Sequence, residues 1–249
     1  MGTSDKTSLG DRMKMYEGAF KASLPARMPV VLRIDGKAFH TYTHGCQKPF
    51  DAQLISAMDN VAKALCEQIQ GAQIAYVQSD EISVLIHGYK KFESSSWFDN
   101  QIQKMVSVAA SIAAGQMTAL SPTIFNGQVK IAAFDARAFI LPEAEVCNYF
   151  LWRQQDATRN SIQMLARSLY SHKELDNKNG SQLQEMCFLK GKNWNSVPTY
   201  QKRGRCIVKE NYTVADSDAV RSRWSVDDEI PVFSENRDYI NQHLKVLEE

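Results

Sequence analysis

Residues 74–87 read IAYVQSDEISVLIH. Two apolar, β-branched runs, Ile74 to Val77 and Ile82 to His87, flank the polar stretch Gln78-Ser79-Asp80-Glu81, which is the pattern of a hairpin with a short turn. Upstream, Ala52 to Ile69 places Leu54, Met58, Val61, Ala62 and Leu65 at helical spacing. Before it, PVVLRI (Pro29 to Ile34) reads as a buried strand that ends in Asp35-Gly36. Downstream, Trp97 to Leu120 predicts a long helix rich in small residues, which Pro122 is expected to end. Val129 to Leu141 reads as a fourth strand. The order strand, helix, strand, strand, helix, strand is that of a ferredoxin-type βαββαβ sheet, so the fold class is α/β (α+β) with helices on one face. Val146 to Tyr170 and Gln182 to Phe188 predict further helices, and Arg205 to Glu210 with Tyr212 to Val214 a small hairpin. The expected organisation is one unit over residues 1–249, with a core at 29–141 completed by a mainly helical region at 142–249.

This order of elements brings two acids together. A right-handed crossover makes the first two strands parallel, and the hairpin inserts its second strand between them. The carboxyl end of the first strand and the hairpin turn then share one edge, which places Asp35 beside Asp80, with Glu81 next in the chain. Carboxylates gathered in this way repel one another unless a cation sits among them, and Mg²⁺ is the ion such a cluster suits. Gly36-Lys37-Ala38-Phe39-His40 follows, a segment whose backbone N–H groups suit a triphosphate. The outline is a nucleotidyl-transfer site. The same residues also read as ordinary turn formers, Asp-Gly and a solvated hairpin tip.

Composition narrows the class. The 29 Lys and Arg against 28 Asp and Glu leave a net charge of +1, which excludes a strongly basic nucleic-acid coat but not a local basic groove. Five cysteines at wide spacing form no CxxC pair, and no run of about 18 apolar residues suggests a membrane span. A cytoplasmic protein without membrane association is expected. His40 and His44 are four apart but lack an HExxH context, so no zinc is expected.

RIDGKAFH from Arg33, KPFD from Lys48, AYVQSDEIS from Ala75, FDAR from Phe134, YFLWRQQDATRNS from Tyr149 and LQEMCFLKGKNWNSVPTYQKRGRCIVK up to Lys209 resemble, in order and spacing, the motifs of the tRNA(His) guanylyltransferase family. The resemblance implies a polymerase-palm fold that adds nucleotides to RNA 5′ ends in the 3′ to 5′ direction. By resemblance, Asp35, the Gly36 carbonyl and Asp80 hold two Mg²⁺ ions, with Glu81 supporting them. The backbone from Asp35 through Gly36, Lys37, Ala38 and Phe39 to His40, together with Ser79, cradles a nucleoside triphosphate. Lys48 and Asp51 serve activation of the 5′ end by ATP or GTP. A homotetramer, arranged as a dimer of dimers, is implied as well.

One block departs from the pattern. Where eukaryotic members of the family carry His-Ile-Asn-Asn, this chain has Ala157-Thr158-Arg159-Asn160. The residues present resemble the bacterial and phage Thg1-like branch, which implies template-dependent repair of truncated tRNA rather than dedicated addition of G to tRNA(His). Lys104, Arg153, Arg159, Asn160, Lys202, Arg203 and Arg205 are the expected RNA or phosphate contacts. A nucleotide cyclase or cyclic-dinucleotide synthase and a silent RNA-binding module are the rivals from other classes.

Overall fold

The computed structural model describes residues 7–87, 94–213 and 219–244. In chain order the elements are α1 (Leu9–Gly18), β1 (Val30–Gly36), α2 (Phe39–Tyr42), α3 (Ala52–Gln68), β2 (Ala72–Gln78), β3 (Glu81–Ile86), α4 (Ile102–Ile124), β4 (Phe134–Ile140), α5 (Glu143–Leu169), α6 (His172–Leu175), α7 (Gly180–Leu189), α8 (Thr199–Arg203), β5 (Arg205–Thr213), β6 (Val220–Asp227) and α9 (Asp238–Asn241). The strands make one sheet in the order β4-β1-β3-β2-β5-β6. Both β1 and β2 run antiparallel to β3 between them, and are therefore parallel to each other, as the crossover requires.

Alternation along the strands sorts side chains to two faces. Val30, Leu32 and Ile34 point to a core shared with Met58, Val61 and Leu65 of α3 and Met105 and Ala109 of α4. Val31, Ile74, Tyr76 and Leu85 point the other way, to Phe150 of α5 and to Phe233 and Ile240 near the carboxyl end. Helices thus cover both faces rather than one. The region after residue 142 also adds β5 and β6 to the sheet, so it is less helical than expected. A third, smaller cluster joins Ile162 and Leu165 of α5 to Leu183 and Cys187 of α7, away from the sheet.

Four local expectations need correction. Pro122 lies inside α4 instead of ending it. A proline in mid-helix deprives the carbonyl four residues back of its donor, and here the Ser121 hydroxyl donates to that carbonyl, Thr118 O, at 2.7 Å. The strand expected from Val129 begins only at Phe134. The N–H groups of Lys130 and Ala132 go instead to the hydroxyls of Ser121 and Thr118 on α4, at 2.9 and 3.0 Å. Trp97–Asn100 is a separate 3-10 turn, and positive φ at Phe98, Asp99 and Asn100 breaks it from α4. Finally, Arg205–Thr213 is one strand paired with β6, not a hairpin folded on itself; Val214 lies outside the described residues.

Candidate active site

The carboxyl end of β1 meets the β2–β3 turn through one hydrogen bond, from the Gly36 N–H to the Asp80 carbonyl at 3.1 Å. Asp35 and Asp80 are neighbours across that bond. Burial pushes the Asp80 carboxyl above its ordinary value, and the nearby Asp35 charge adds to the rise, while hydrogen bonds from the Ser79 hydroxyl and the backbone oppose it. The turn itself is tight: Ser79 takes a positive φ, and its hydroxyl donates to Asp80 Oδ1 at 2.9 Å.

Across the strands the acids form a row. Asp35 pairs in register with Glu81 on β3 and with Asp135 on β4. Like charges set directly opposite are unfavourable, and arginines two residues away offset them. Arg33 reaches Asp35 Oδ2 at 3.1 Å and Glu81 Oε2 at 3.1 Å, and Arg137 reaches Asp135 at 3.2 Å. Sequence reasoning assigned no role to Arg33, Asp135 or Arg137. The signal was available: RID and FDAR carry the same Arg/Asp spacing in reverse order, which an antiparallel pair brings face to face.

Glu81 is buried, and its Oε2 also accepts from Arg153 Nη1 at 2.8 Å. Burial pushes this carboxyl up, while Arg153 and Arg33 pull it down. Glu81 therefore anchors arginines beneath the acid pair.

The segment after Asp35 is shaped by Phe39. Its buried ring folds back over Gly36, where any Cβ would stand 2.2 Å from the ring, and it packs against Tyr42 and Phe134. The expected cradle is shorter than the full run from Asp35 to His40, because the Gly36 and Lys37 N–H groups are already donated to the carbonyls of Asp80 and Ala133. Among the described residues, no acceptor meets the N–H groups of Ala38, Phe39 and His40. His40 is exposed, and its ring is 3.1 Å from the Thr41 hydroxyl.

Beside the acids opens a cavity of about 200 Å³. Its walls include Lys48 and Asp51 of KPFD, Ser79 of the turn, Asn160 and Ser161 of α5 and Tyr200 of α8. Lys48 is exposed at this wall. Asp51 is the N-cap of α3 and accepts from the N–H groups of Gln53 at 2.9 Å, Leu54 at 3.0 Å and Gln47 at 2.8 Å. Ala157 also lines the cavity, so the block that departs from the eukaryotic pattern faces this space.

The expected RNA contacts divide. Lys104 and Arg159 are exposed, Arg159 being paired with Asp156 at 3.1 Å, while Lys202 and Arg203 are half-buried. Arg153 and Arg205 are buried and do not belong to a wet face. Arg153 joins Glu81 and lies 3.6 Å from the Trp152 ring. Arg205 is engaged by the Asp59 carboxylate and donates to the Ile55 carbonyl at 3.2 Å.

An antiparallel sheet with two acids meeting at one strand end, beside a cavity lined by Ser79 of their turn, is an arrangement suited to a nucleotidyltransferase. The family model described as Thg1: tRNAHis guanylyltransferase matches residues 10–142. The chain belongs to this family, and nucleotide addition at tRNA 5′ ends is its activity. Among solved structures, a bacterial tRNA(His) guanylyltransferase (Thg1)-like protein in complex with ATP is 46% identical, with a TM-score of 0.88 over 96% of this chain and 100% of that one. Such a protein in complex with GTP is 47% identical, with a TM-score of 0.84 and the same coverage. The tRNA(His) guanylyltransferase of Debaryomyces hansenii is 28% identical over 78% of each chain.

Proposed function

We propose that this protein repairs truncated tRNAs by template-directed addition of nucleotides to their 5′ ends, after activating the 5′-monophosphate with ATP or GTP. One observation carries the reading: Ser79 lines the cavity and its hydroxyl donates to the Asp80 carboxylate, so a nucleotide seated in the cavity has the acids beside it. The N–H groups of Ala38, Phe39 and His40 supply a cradle, and Lys48 stands at the cavity wall as a cation for a phosphate. The ATP and GTP in the complexes of similar bacterial proteins support either purine as the activating nucleotide.

Asp35, Asp80 and the Gly36 carbonyl offer only hard oxygen donors, and a divalent cation would offset both the burial that chiefly raises the Asp80 carboxyl and the smaller repulsion from Asp35. Mg²⁺ fits such a site, because it binds through one or two carboxylates and completes its shell with water and phosphate. Held by Asp35, Asp80 and the Gly36 carbonyl, such ions would supply charge stabilisation for phosphoryl transfer. Beneath them, Arg33 and Arg153 hold Glu81 and keep the β1 and β3 ends in register. Asn160 keeps the final Asn of the eukaryotic block at the cavity wall, but Ala157 stands there in place of its His, which supports templated repair over dedicated G addition. A cytoplasmic homotetramer completes the reading, since a tRNA needs more surface than one palm offers.

The test is a panel of tRNAs shortened at the 5′ end, with each nucleoside triphosphate supplied separately. Extension of several tRNAs according to the opposing base is expected, and exclusive use of tRNA(His) overturns the reading. Labelled GTP without RNA should give no cyclic product. Asp35→Ala and Asp80→Ala are each expected to lower turnover by orders of magnitude while tRNA binding persists.

A further inference from the structure

Charge is segregated along this chain. Residues 159–205 hold nine Lys and Arg against three Asp and Glu, a net of +6, whereas the whole chain has a net of +1, which leaves −5 for the remainder. These residues form the lobe built on the second half of α5, with α6, α7 and α8 and the small apolar cluster between them. Elsewhere Arg33, Arg137, Arg153 and Arg223 each meet a carboxylate. Among the described residues, Arg167, Lys173, Lys178, Lys190, Lys202 and Arg203 meet none.

Two of these cations lie against neutral groups. Lys202 donates to the Asn195 carbonyl at 2.9 Å and lies 5.5 Å from the Trp194 ring, and Lys190 lies 5.3 Å from the Tyr170 ring. Neither lysine makes an ion pair, although the Lys190 charge reaches Glu174. A hollow of about 150 Å³ lies where α5, α6 and α7 meet, lined by Arg167, His172 and Lys178 with one acid, Asp176.

The lobe is continuous with the active site. Asn160, Ser161 and Met164 wall the nucleotide cavity, and Gln163, between Ser161 and Met164, lines the hollow. Arg167 lies about 10 Å further along the helix from Asn160 at 1.5 Å per residue. The positive surface thus begins where the cavity ends, and a run of cations without carboxylate partners is complementary to a polyanion.

We propose that this lobe carries the body of the tRNA, its cations tracking the phosphates of the strand that leads away from the reacting 5′ end, with Arg167, His172 and Lys178 seating one phosphate. The proposal rests on the functional reading above and adds the surface to it.

Fluorescence anisotropy of a labelled tRNA, read across a series of KCl concentrations, tests it with the full chain. The double variant Arg167→Glu/Lys178→Glu changes exposed positions, and Lys14→Glu/Lys21→Glu near α1 makes the same change of net charge elsewhere. Expected for the lobe variant is a loss of tRNA affinity of about tenfold or more, and a salt slope lower by about 2. ATP affinity, circular dichroism and the α1 variant's tRNA binding should match wild type. Wild-type affinity and slope in the lobe variant overturn the proposal, as does an equal loss in the α1 variant. A loss that instead follows a change of oligomeric state in light scattering, beside exposed Phe188 and Leu189, makes a second copy the occupant and overturns it too. Wild-type protein that binds tRNA through the lobe but extends no shortened tRNA refutes the functional reading alone.

Discussion

Arg153 on α5 donates to the Glu81 carboxylate on β3 at 2.8 Å, and both side chains are buried. The contact fastens the helix that walls the nucleotide cavity to the strand that follows Asp80. Glu81 Oε2 also meets Arg33, which holds Asp35, so acids and arginines alternate from Asp35 to Asp156, which is 3.5 Å from Arg153.

Removing Arg153 leaves a buried carboxylate short of its closest partner. Breaking a buried pair on one side costs about 3–5 kcal/mol, and the remaining Arg33 contact at 3.1 Å places Arg153→Met toward the lower end of that range. Adding Glu81→Gln removes the stranded charge, so the double variant is expected to recover more than half of the loss. Urea denaturation of the two single variants and the double variant checks this; simple additivity of the two losses contradicts the pairing.

Gly36→Ala tests the backbone cradle without touching an acid. A Cβ there collides with the Phe39 ring at 2.2 Å, and because that ring is buried against Tyr42 and Phe134 it cannot swing freely. The displacement falls on Ala38, Phe39 and His40. ATP affinity measured by calorimetry is expected to drop roughly tenfold or more, with loss of stability of about 1–3 kcal/mol from overpacking. Unchanged affinity removes this segment from the triphosphate site.

Much of this was legible in the letters. The hairpin at 74–87 announces itself by two apolar, β-branched runs around four polar residues, and the meeting of Asp35 with Asp80 follows from the parallel crossover with the hairpin's second strand inserted between. What stayed hidden depended on distant or compensating groups. Arg153 and Arg205 look like members of polar stretches because their acids, Glu81 and Asp59, lie 72 and 146 positions away. Pro122 reads as a stop because the Ser121 hydroxyl that replaces its missing donor leaves no mark on periodicity. Val129 to Ala133 alternates like a strand, yet hydroxyls of α4 claim its N–H groups before a neighbouring strand does.

Asp51 combines a structural and a chemical duty, and two substitutions separate them. Asp51→Ala removes a cap that serves three N–H groups and is expected to cost about 0.5–2 kcal/mol. Asp51→Asn keeps an oxygen for the Gln53 and Leu54 N–H groups but sets an amide donor against the Gln47 N–H, so it should cost about 0.5–1.5 kcal/mol, less than Asp51→Ala. If Asp51 also serves 5′-end activation, Asn at this position lowers extension of 5′-monophosphorylated tRNA while extension of 5′-triphosphorylated tRNA, which needs no activation, is preserved. Equal rates for both RNAs restrict Asp51 to capping.

Acid should weaken the fold through two histidines. Burial lowers the pKa of His87 and of His243 below 6.5, with Glu143 opposing the shift at His87. Each imidazole is thus neutral in the fold at a pH where the unfolded chain begins to take a proton. Their contribution to stability is complete above about 6.5, declines as the pH falls from there toward the lowered native values, and is flat below them. The raised carboxyls of Asp59 and Asp80 act in the opposite sense and at the acidic end, so a comparison with a variant isolates the histidine. His243→Phe is suited to this, because among the described residues the buried Nε2 of His243 meets no hydrogen-bond partner. The melting temperature of wild type is expected to fall more steeply than that of His243→Phe between about pH 7 and pH 5, with the two curves parallel at higher pH. Parallel curves throughout would show that this imidazole is protonated as readily in the fold as out of it.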